Sequence, residues 1–317
     1  MLTIYKTDDS VIRKLSSYED GAWVNLAHPS KEELTKVSER FEIELDDLAS
    51  ALDEEETSRL SLENGYTLIL VDIPAPEVRH QKKMYTTLPL GIILKQNVII
   101  TVCREETPVI APFLTGKIKD FSTKKKMRFV YQILLRASML YQSYLRAIDQ
   151  KRVEIEGRAS ASMEYNRGAE DIIELHELES TLVYFMTSLK ANSTVIDRFK
   201  RYKRIEQYPE DMELLDDVLI EYKQAIEMSQ IYRDIVDGAR DLLSAIADSR
   251  LNNAMKYLTS ITVVMTIPTI ISGIYGMNVS GKWMPFAETA HGFSIVCGII
   301  VLVCLVTLVF LRKKKML

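Results

Sequence analysis

Two long runs without a charged residue lie near the C-terminal end of this 317-residue chain. They cover 257–281 and 292–311, whereas charged residues are spread along the preceding 256 positions. An α-helix of about 20 apolar residues crosses a hydrocarbon core of about 30 Å. We therefore predict two transmembrane helices, at 257–278 and 292–311, joined by an extracytoplasmic loop at 279–291.

Basic residues at the ends of these runs predict the orientation of the chain. Lys256 precedes the first run and a basic tail, 312–317, follows the second, whereas the loop offers only Lys282. Both termini are therefore expected in the cytoplasm, with the protein in the plasma membrane and the large N-terminal part remaining where it is made. A basic ring at the cytoplasmic end would repel cations or, more simply, anchor to anionic membrane lipid; it comprises Lys256, Arg312, Lys313, Lys314 and Lys315.

The part before the membrane runs divides into two regions of different pattern. Region 1–105 is predicted as a mixed α/β domain, with a capping box at Ser30 opening a helix through Arg40 and a hairpin turn at Asn64–Gly65. A further helix is expected at 45–52, and the strands are expected at 3–6, 21–27, 58–63, 66–73, 85–94 and 98–103.

Region 106–256 has the pattern of long, partly solvated helices, including 127–157 and 171–204. The last helix has no proline from Asp211 to Ile267, so it is expected to run on from the cytoplasm into the membrane as a stalk. Its apolar residues alternate in steps of three and four, as in a helix bundle. Such a stripe serves either as core within one chain or as packing around a symmetry axis; it comprises Ala225, Met228, Tyr232, Ile235, Ala239, Leu242 and Ile246.

A second stripe, mostly small or polar, follows the first membrane helix for its whole length. Its members recur in steps of three and four and are Asn252, Met255, Thr259, Thr262, Thr266, Thr269, Gly273 and Gly276. Tight helix packing is one interpretation. The other is a pore lining, which needs a ring of subunits because two helices per chain cannot enclose a path. In that case Met255 and Leu258 would form an apolar neck near the cytoplasmic end.

No residue pattern in the chain favours an enzyme or a nucleotide site. The four histidines are scattered, and no nucleophile and base stand at a recognisable spacing. Gly276 to Lys282 has phosphate-loop spacing, but Trp283 stands where Ser or Thr should be and a membrane helix precedes it. We expect no enzyme activity, no organic cofactor and no nucleic-acid partner. The cysteines are interpreted as apolar packing: Cys103, Cys297 and Cys304.

The segment Tyr275-Gly276-Met277-Asn278 ends the first membrane run, and Met284-Pro285 follows it. In this position it closely resembles the signature of the CorA family of magnesium channels, as do residues 23–26 and 252–259. The resemblance implies an α+β cytosolic domain (an α/β/α sandwich), a long helical stalk and two C-terminal transmembrane helices in a homopentameric funnel. It also implies Mg²⁺ influx, a pore lined by the first membrane helix and a selectivity filter formed by Gly276, Met277 and Asn278.

The same resemblance implies that cytosolic Mg²⁺ gates the channel by binding acidic residues between subunits. Asp217 stands where the family carries its acidic sensor, and Asp216 adjoins it, while the partner carboxylate has no assigned position. The candidate acidic clusters are Asp46, Asp47, Asp53, Glu54, Glu55 and Glu56, and Glu206, Glu210, Asp211, Glu213, Asp216 and Asp217.

The outer loop departs from the family pattern, in which an acidic residue directly follows Met-Pro. Phe286 and Ala287 intervene before Glu288, which is still a candidate for collecting cations at the mouth, and Lys282 adds a positive charge. Two alternatives stay open: a relative that moves Zn²⁺, Co²⁺ or Ni²⁺, and a membrane-anchored helical scaffold that conducts nothing.

Overall fold

The computed structural model describes residues 1–8, 11–63, 65–79, 82–161, 165–201, 209–278, 284–286 and 289–314. These residues form two compact units, Met1–Arg240 and Asp241–Leu317. Of the sequence predictions, Asn64 of the hairpin turn, Glu206 of the second acidic cluster, Lys282, Glu288 and Lys315 lie outside the described residues.

A seven-stranded sheet forms the centre of the first unit, in the order β2-β1-β3-β7-β6-β5-β4. Strands β3 and β7 pair in parallel, and the other neighbours are antiparallel. The strands are β1 (Leu2–Asp8), β2 (Val11–Leu15), β3 (Ala22–Ala27), β4 (Arg59–Leu62), β5 (Tyr66–Arg79), β6 (Lys82–Lys95) and β7 (Val98–Cys103). Six of the seven were predicted; β2 was missed because it is an edge strand without a buried residue, so it lacks apolar alternation.

Strands β5 and β6 are longer than predicted, and β5 continues through Pro74 and Pro76 to Arg79. Pairing of β4 with β5 ends at Leu70, so beyond this point β5 has an open side. Asp72 directs its backbone N–H and C=O to that side, away from β6. Because backbone groups alternate along a strand, Pro74 and Pro76 face the same open side, where a missing N–H interrupts no ladder bond.

Helices α1 (Lys31–Phe41) and α2 (Leu45–Ser50) cover one face of the sheet. The predicted capping box is confirmed: the Ser30 hydroxyl accepts a hydrogen bond from the Glu33 N–H, and the Glu33 carboxylate accepts one from the Ser30 N–H. The buried core on this side joins apolar helix residues to alternate strand residues; it includes Val24, Leu26, Leu34, Val37, Leu48, Leu68, Ile100 and Val102.

The opposite face of the sheet is covered by α3 (Ala111–Leu114), α4 (Lys126–Ala161) and α5 (Tyr165–Arg201). Trp23 is fully buried there, with its ring centroid 5.0 Å from that of Phe129. Its indole N–H donates to the Thr101 hydroxyl at 2.8 Å, which donates in turn to the Asn25 side-chain oxygen at 2.9 Å. Helices on both faces confirm the predicted α/β/α sandwich.

Asn192 of α5 binds the open side of β5. Its side chain forms the hydrogen bonds to Asp72 that a neighbouring strand would otherwise form. Its side-chain N–H donates to the Asp72 carbonyl at 2.7 Å, and its side-chain oxygen accepts from the Asp72 N–H at 2.9 Å. The Ser58 hydroxyl donates to the same oxygen, and the Tyr141 hydroxyl donates to the Asp72 carbonyl. Burial raises the pKa of the Asp72 carboxyl above its ordinary value, although hydrogen bonds from Ser188 and Ser58 oppose the shift.

Helix α6 (Pro209–Tyr275) passes through both units, and α7 (Gly292–Lys313) lies in the second. The helix predicted to run on from the cytoplasmic region into the membrane continues through Pro268 and ends at Tyr275. Proline has no N–H, so the carbonyl of Val264 loses its usual helical donor. The Cys304 thiol of α7 lies 3.8 Å from that carbonyl and donates to it, which is one way a membrane helix accommodates proline.

The apolar stripe predicted on the last long helix is divided between core and surface. Ala225 and Ala239 are buried within the chain, whereas Ile235 is exposed. The residues of α6 that face the core of the first unit are Leu215, Val218, Tyr222, Ala225, Ser229, Val236 and Ala239. The exposed members are therefore the ones available to another chain.

Candidate ion-permeation site

The two membrane-length helices of the second unit are almost entirely uncovered by their own chain. Only 6% of the most apolar window of each helix is buried. Exposed apolar surface of this extent requires lipid or other protein chains to cover it.

One face of α6 is turned toward α7. Ser260 is fully buried, and the residues one turn apart along the same face are half-buried: Val264, Ile267, Ile271 and Tyr275. The facing positions of α7 include the buried residues Gly292 and Leu311 at its two ends. The thiol contact between Cys304 and Val264 lies in this interface.

The small and polar stripe lies on the opposite face of α6. At 3.6 residues per turn, its members stand about half a turn away from the face that contacts α7. Every predicted pore-lining residue is exposed in the single chain: Asn252, Met255, Leu258, Thr259, Thr262, Thr266, Thr269 and Gly273. The stripe therefore stays uncovered by the described part of its own chain.

Three threonine hydroxyls of the stripe donate to backbone carbonyls one turn earlier. The bonds run from Thr262 to Leu258, from Thr266 to Thr262 and from Thr269 to Met265, at 2.8, 2.7 and 2.9 Å. Each hydroxyl thereby uses its only proton inside the helix, and its oxygen lone pairs stay available as acceptors. A face of acceptors without fixed charge suits water or a hydrated cation.

The predicted filter begins where α6 ends, at Tyr275. The N–H of Gly276 still donates to the Ser272 carbonyl at 2.9 Å, and Gly276 does not adopt a left-handed conformation, so a left-handed helix cap is not what requires glycine here. A Cβ at Gly276 would lie 3.1 Å from the Ser272 carbonyl oxygen, which is a tight approach to backbone. Gly276, Met277 and Asn278 are all exposed.

A compact turn next to the filter was not predicted from the sequence. The Tyr275 hydroxyl donates to the Pro285 carbonyl at 2.6 Å. Phe286 has a left-handed backbone, and its carbonyl accepts from both the N–H and the hydroxyl of Thr289. A Cβ at Gly292 would lie 1.9 Å from the Phe286 carbonyl oxygen, so only glycine fits at the start of α7. The signal in the sequence was the glycine that opens the second apolar run.

The predicted basic ring is exposed at each of its described positions, Lys256, Arg312, Lys313 and Lys314. Lys256 lies nearer the α7 side of α6 than the threonine stripe does. Leu311, by contrast, is buried, so the end of α7 is anchored by an apolar residue and its last turn presents charge to the surroundings.

The acidic candidates divide into one buried carboxylate, several that pair with a neighbouring side chain, and several that are exposed. Asp211 is 2% exposed and pairs with Arg128 at 3.4 Å, which indicates a structural role. Asp216 and Asp217 are exposed on α6. In the first cluster, Glu54 pairs with Arg104, Glu56 pairs with Arg59 and Asp47 accepts from Tyr66, whereas Asp46, Asp53 and Glu55 are exposed. Within the described residues of one chain, no three His, Cys, Asp or Glu side chains are grouped as a metal site requires.

Comparison with known proteins connects this geometry to a family. The sequence model described as "CorA-like Mg2+ transporter protein" matches residues 18–313. The chain belongs to the CorA-like Mg²⁺ transporter family. The family consists of membrane transporters, which agrees with the prediction that the chain is not an enzyme.

Relatives of this CorA-family chain match it over nearly its whole length. A cobalt/magnesium transport protein CorA of Methanocaldococcus jannaschii is 30% identical over 99% of this chain and 98% of the relative. A magnesium transport protein CorA of Campylobacter jejuni is 24% identical over 99% of both chains. The complete structure of the CorA magnesium transporter from M. jannaschii superimposes with a TM-score of 0.80 at 28% identity, covering 99% of this chain and 98% of that one.

Proposed function

We propose that this chain mediates Mg²⁺ influx across the plasma membrane, down the electrochemical gradient. The observation that carries the proposal is the full-length match to a cobalt/magnesium transport protein together with the Gly276–Asn278 segment at the end of α6. A negative-inside potential favours influx by about 2.3 kcal/mol per charge per 100 mV, so about twice that for a divalent cation. Such a channel requires no nucleotide hydrolysis.

The proposed assembly is a homopentamer with the threonine stripe of α6 facing a central path. Its support is the position of the stripe, because α7 covers the opposite face of α6 and leaves the hydroxyls exposed. One chain contributes two membrane helices, so several chains are needed to surround a path. In this arrangement both termini and the first unit are cytoplasmic, and Met255 and Leu258 form an apolar neck that gates by dewetting.

The proposed selectivity filter is a ring formed by Gly276, Met277 and Asn278 of each subunit. Mg²⁺ gives up its water reluctantly and prefers octahedral oxygen shells, so neutral acceptors suit the hydrated ion. The Asn278 side-chain oxygen is such an acceptor, and its exposure leaves it available. Glu288 is proposed to concentrate cations at this mouth.

Regulation by cytosolic Mg²⁺ is proposed to act between subunits, through Asp217 and Asp216. Both lie exposed on α6, and the described part of a single chain holds no group of three potential ligands. A divalent ion there would need oxygens from a second copy, so its binding would couple neighbouring subunits. The basic ring at Lys256 and 312–315 is proposed to anchor the cytoplasmic membrane surface to anionic lipid.

The test is Mg²⁺ uptake into liposomes that contain the purified protein and a Mg²⁺-sensitive dye, with an inward gradient and a magnesium-poor interior. Wild type is expected to take up Mg²⁺, and Asn278→Ala is expected to lose uptake while keeping its oligomeric state. Asn253→Ala is the matched control, because Asn253 is an exposed asparagine on α6 that lies outside the stripe. Absence of wild-type uptake would contradict the proposal.

Co²⁺ is the second candidate substrate, because the M. jannaschii relative is named a cobalt/magnesium transport protein. The same liposomes, loaded with a dye that responds to transition metals, separate the two. Uptake of Co²⁺ or Zn²⁺ without Mg²⁺ would assign the chain to the transition-metal alternative, and flux of none of these ions would favour the scaffold interpretation.

A further inference from the structure

Among the described residues, a side-chain hydrogen bond connects the end of α6 to the far side of the outer loop. Tyr275 is the last residue of α6, and its hydroxyl donates to the Pro285 carbonyl at 2.6 Å. The three residues that follow Tyr275 in the chain are those of the proposed filter. Any movement of this tyrosine therefore moves the filter directly.

The acceptor side of this bond is held by two further features. The Phe286 carbonyl, one residue beyond the acceptor, accepts from the Thr289 hydroxyl at 2.9 Å. The start of α7 lies against the same carbonyl so closely that a Cβ at Gly292 would lie 1.9 Å from its oxygen. Pro285 has a restricted backbone, and Phe286 is held in a left-handed conformation. The turn that carries the acceptor is thus held against the start of α7.

An open cleft lies beneath the turn. A cavity of 520 Å³ lies between the helix ends, lined by residues that include Tyr275, Gly276, Phe286 and Gly292. The hydroxyl of Tyr275 is the polar link across this cavity in the described residues.

We propose that Tyr275 is a positioning residue for ion recognition. Its hydroxyl transfers the fixed position of the outer turn to Gly276–Asn278, and so sets the geometry with which the filter meets a hydrated divalent cation. This inference rests on the proposed function. It adds a residue outside the filter that determines the apparent affinity for Mg²⁺, and it predicts coupling between Tyr275 and Gly292.

The test compares initial rates of Mg²⁺ uptake by the full-length protein in liposomes over a range of Mg²⁺ concentrations. Tyr275→Phe removes only the hydroxyl and is expected to raise KM for Mg²⁺ by about two- to tenfold, the effect of one lost neutral hydrogen bond. The maximal rate per oligomer is expected to change less than KM. Tyr257→Phe is the control, because Tyr257 lies on the same helix and its hydroxyl forms no hydrogen bond with any described residue.

A double-mutant cycle separates positioning from a general loss of stability. Gly292→Ala displaces the same turn from the α7 side, so it is expected to raise KM as well, and adding Tyr275→Phe to it is expected to have little further effect. Independent, multiplicative effects would overturn the inference. So would a KM for Tyr275→Phe equal to that of wild type. A wild-type protein that admits no Mg²⁺ would overturn the proposed function, and this inference with it.

Discussion

Asn192 offers a sharp test of how the soluble unit closes the open side of β5. Replacement by Leu keeps a similar volume and removes both hydrogen-bonding groups. The Asp72 N–H donates to the Asn192 side-chain oxygen at 2.9 Å, so the substitution would leave this buried donor without that acceptor. An unsatisfied buried donor lowers the free energy of unfolding by about 1–3 kcal/mol. The Asp72 carbonyl would lose the hydrogen bond from Asn192 but keep the one from the Tyr141 hydroxyl at 3.1 Å. Losing that one bond is expected to lower the free energy of unfolding by about 0.5–1.5 kcal/mol.

The expected loss from Asn192→Leu is therefore about 1.5–4.5 kcal/mol in the free energy of unfolding. For a unit of this size the loss corresponds to a fall in Tm on the order of 5–15 °C. Thermal unfolding of the purified protein in detergent measures the shift, and hydrogen exchange of peptides from β5 locates it. Lys190→Leu is the matched control, because Lys190 is exposed on the same helix and its replacement is expected to change stability by less than about 0.5 kcal/mol.

Unchanged Tm for Asn192→Leu, with exchange around Asp72 as slow as in wild type, would refute this reasoning. It would mean that water or a rotated neighbouring hydroxyl satisfies the open side of β5 as well as Asn192 does. A fall in Tm equal to that of Lys190→Leu would refute it too, because the loss would then come from introducing a leucine into α5.

Three further substitutions test other parts of the structure. Asp72→Asn is expected to raise Tm at neutral pH. The folded-state pKa of Asp72 lies above the ordinary carboxyl value, so ionisation of this carboxyl opposes folding. The difference in Tm between the variant and wild type should therefore shrink as the pH falls through that pKa. Melting curves across this pH range measure it, and a constant difference would contradict the assignment. Gly91→Ala places a Cβ 2.8 Å from another side chain in the core and is expected to lower the free energy of unfolding by about 1–3 kcal/mol. A Cβ at Gly157, at an exposed helix position, meets nothing within 4 Å, so Gly157→Ala is expected to raise that free energy by up to about 1 kcal/mol. Equal melting shifts in the two glycine variants would show that crowding at β6 does not matter. Gly292→Ala is expected to lower Mg²⁺ uptake and oligomer stability, and Gly298→Ala in the same helix, again with nothing within 4 Å, is expected to leave both near wild type; detergent melting and dye uptake compare them.

Local patterns in the sequence were sufficient for most secondary-structure elements. The capping box at Ser30 predicted the start of α1, because its two hydrogen bonds involve only residues 30 and 33. The edge strand β2 and the continuation of β5 were not predictable in this way. Their pairing depends on residues distant in the chain, and prolines that normally end a strand are tolerated in β5 because its other side is open.

The candidate site was also only partly predictable. Periodicity placed the small and polar residues on one face of α6, because 3.6 residues per turn is a local property of the helix. Which neighbour that face meets is a tertiary property. The structure turns Ser260 and Val264 toward α7 and leaves the threonine stripe exposed. Likewise, the acidic cluster at the start of α6 was visible as a run of charge, but the ion pair of Asp211 with Arg128 required residues 83 positions apart to meet.

The sequence by itself determined the two membrane-length helices and the position of Gly276–Asn278 at the end of the first, because uncharged length and local motif order do not depend on folding. Only the tertiary structure decided how that end is held. The bond from Tyr275 to Pro285, the approach of Gly292 to the Phe286 carbonyl and the donation from Cys304 to Val264 join groups on separate segments. Such contacts depend on where chain segments meet in space, and no local periodicity encodes that distance.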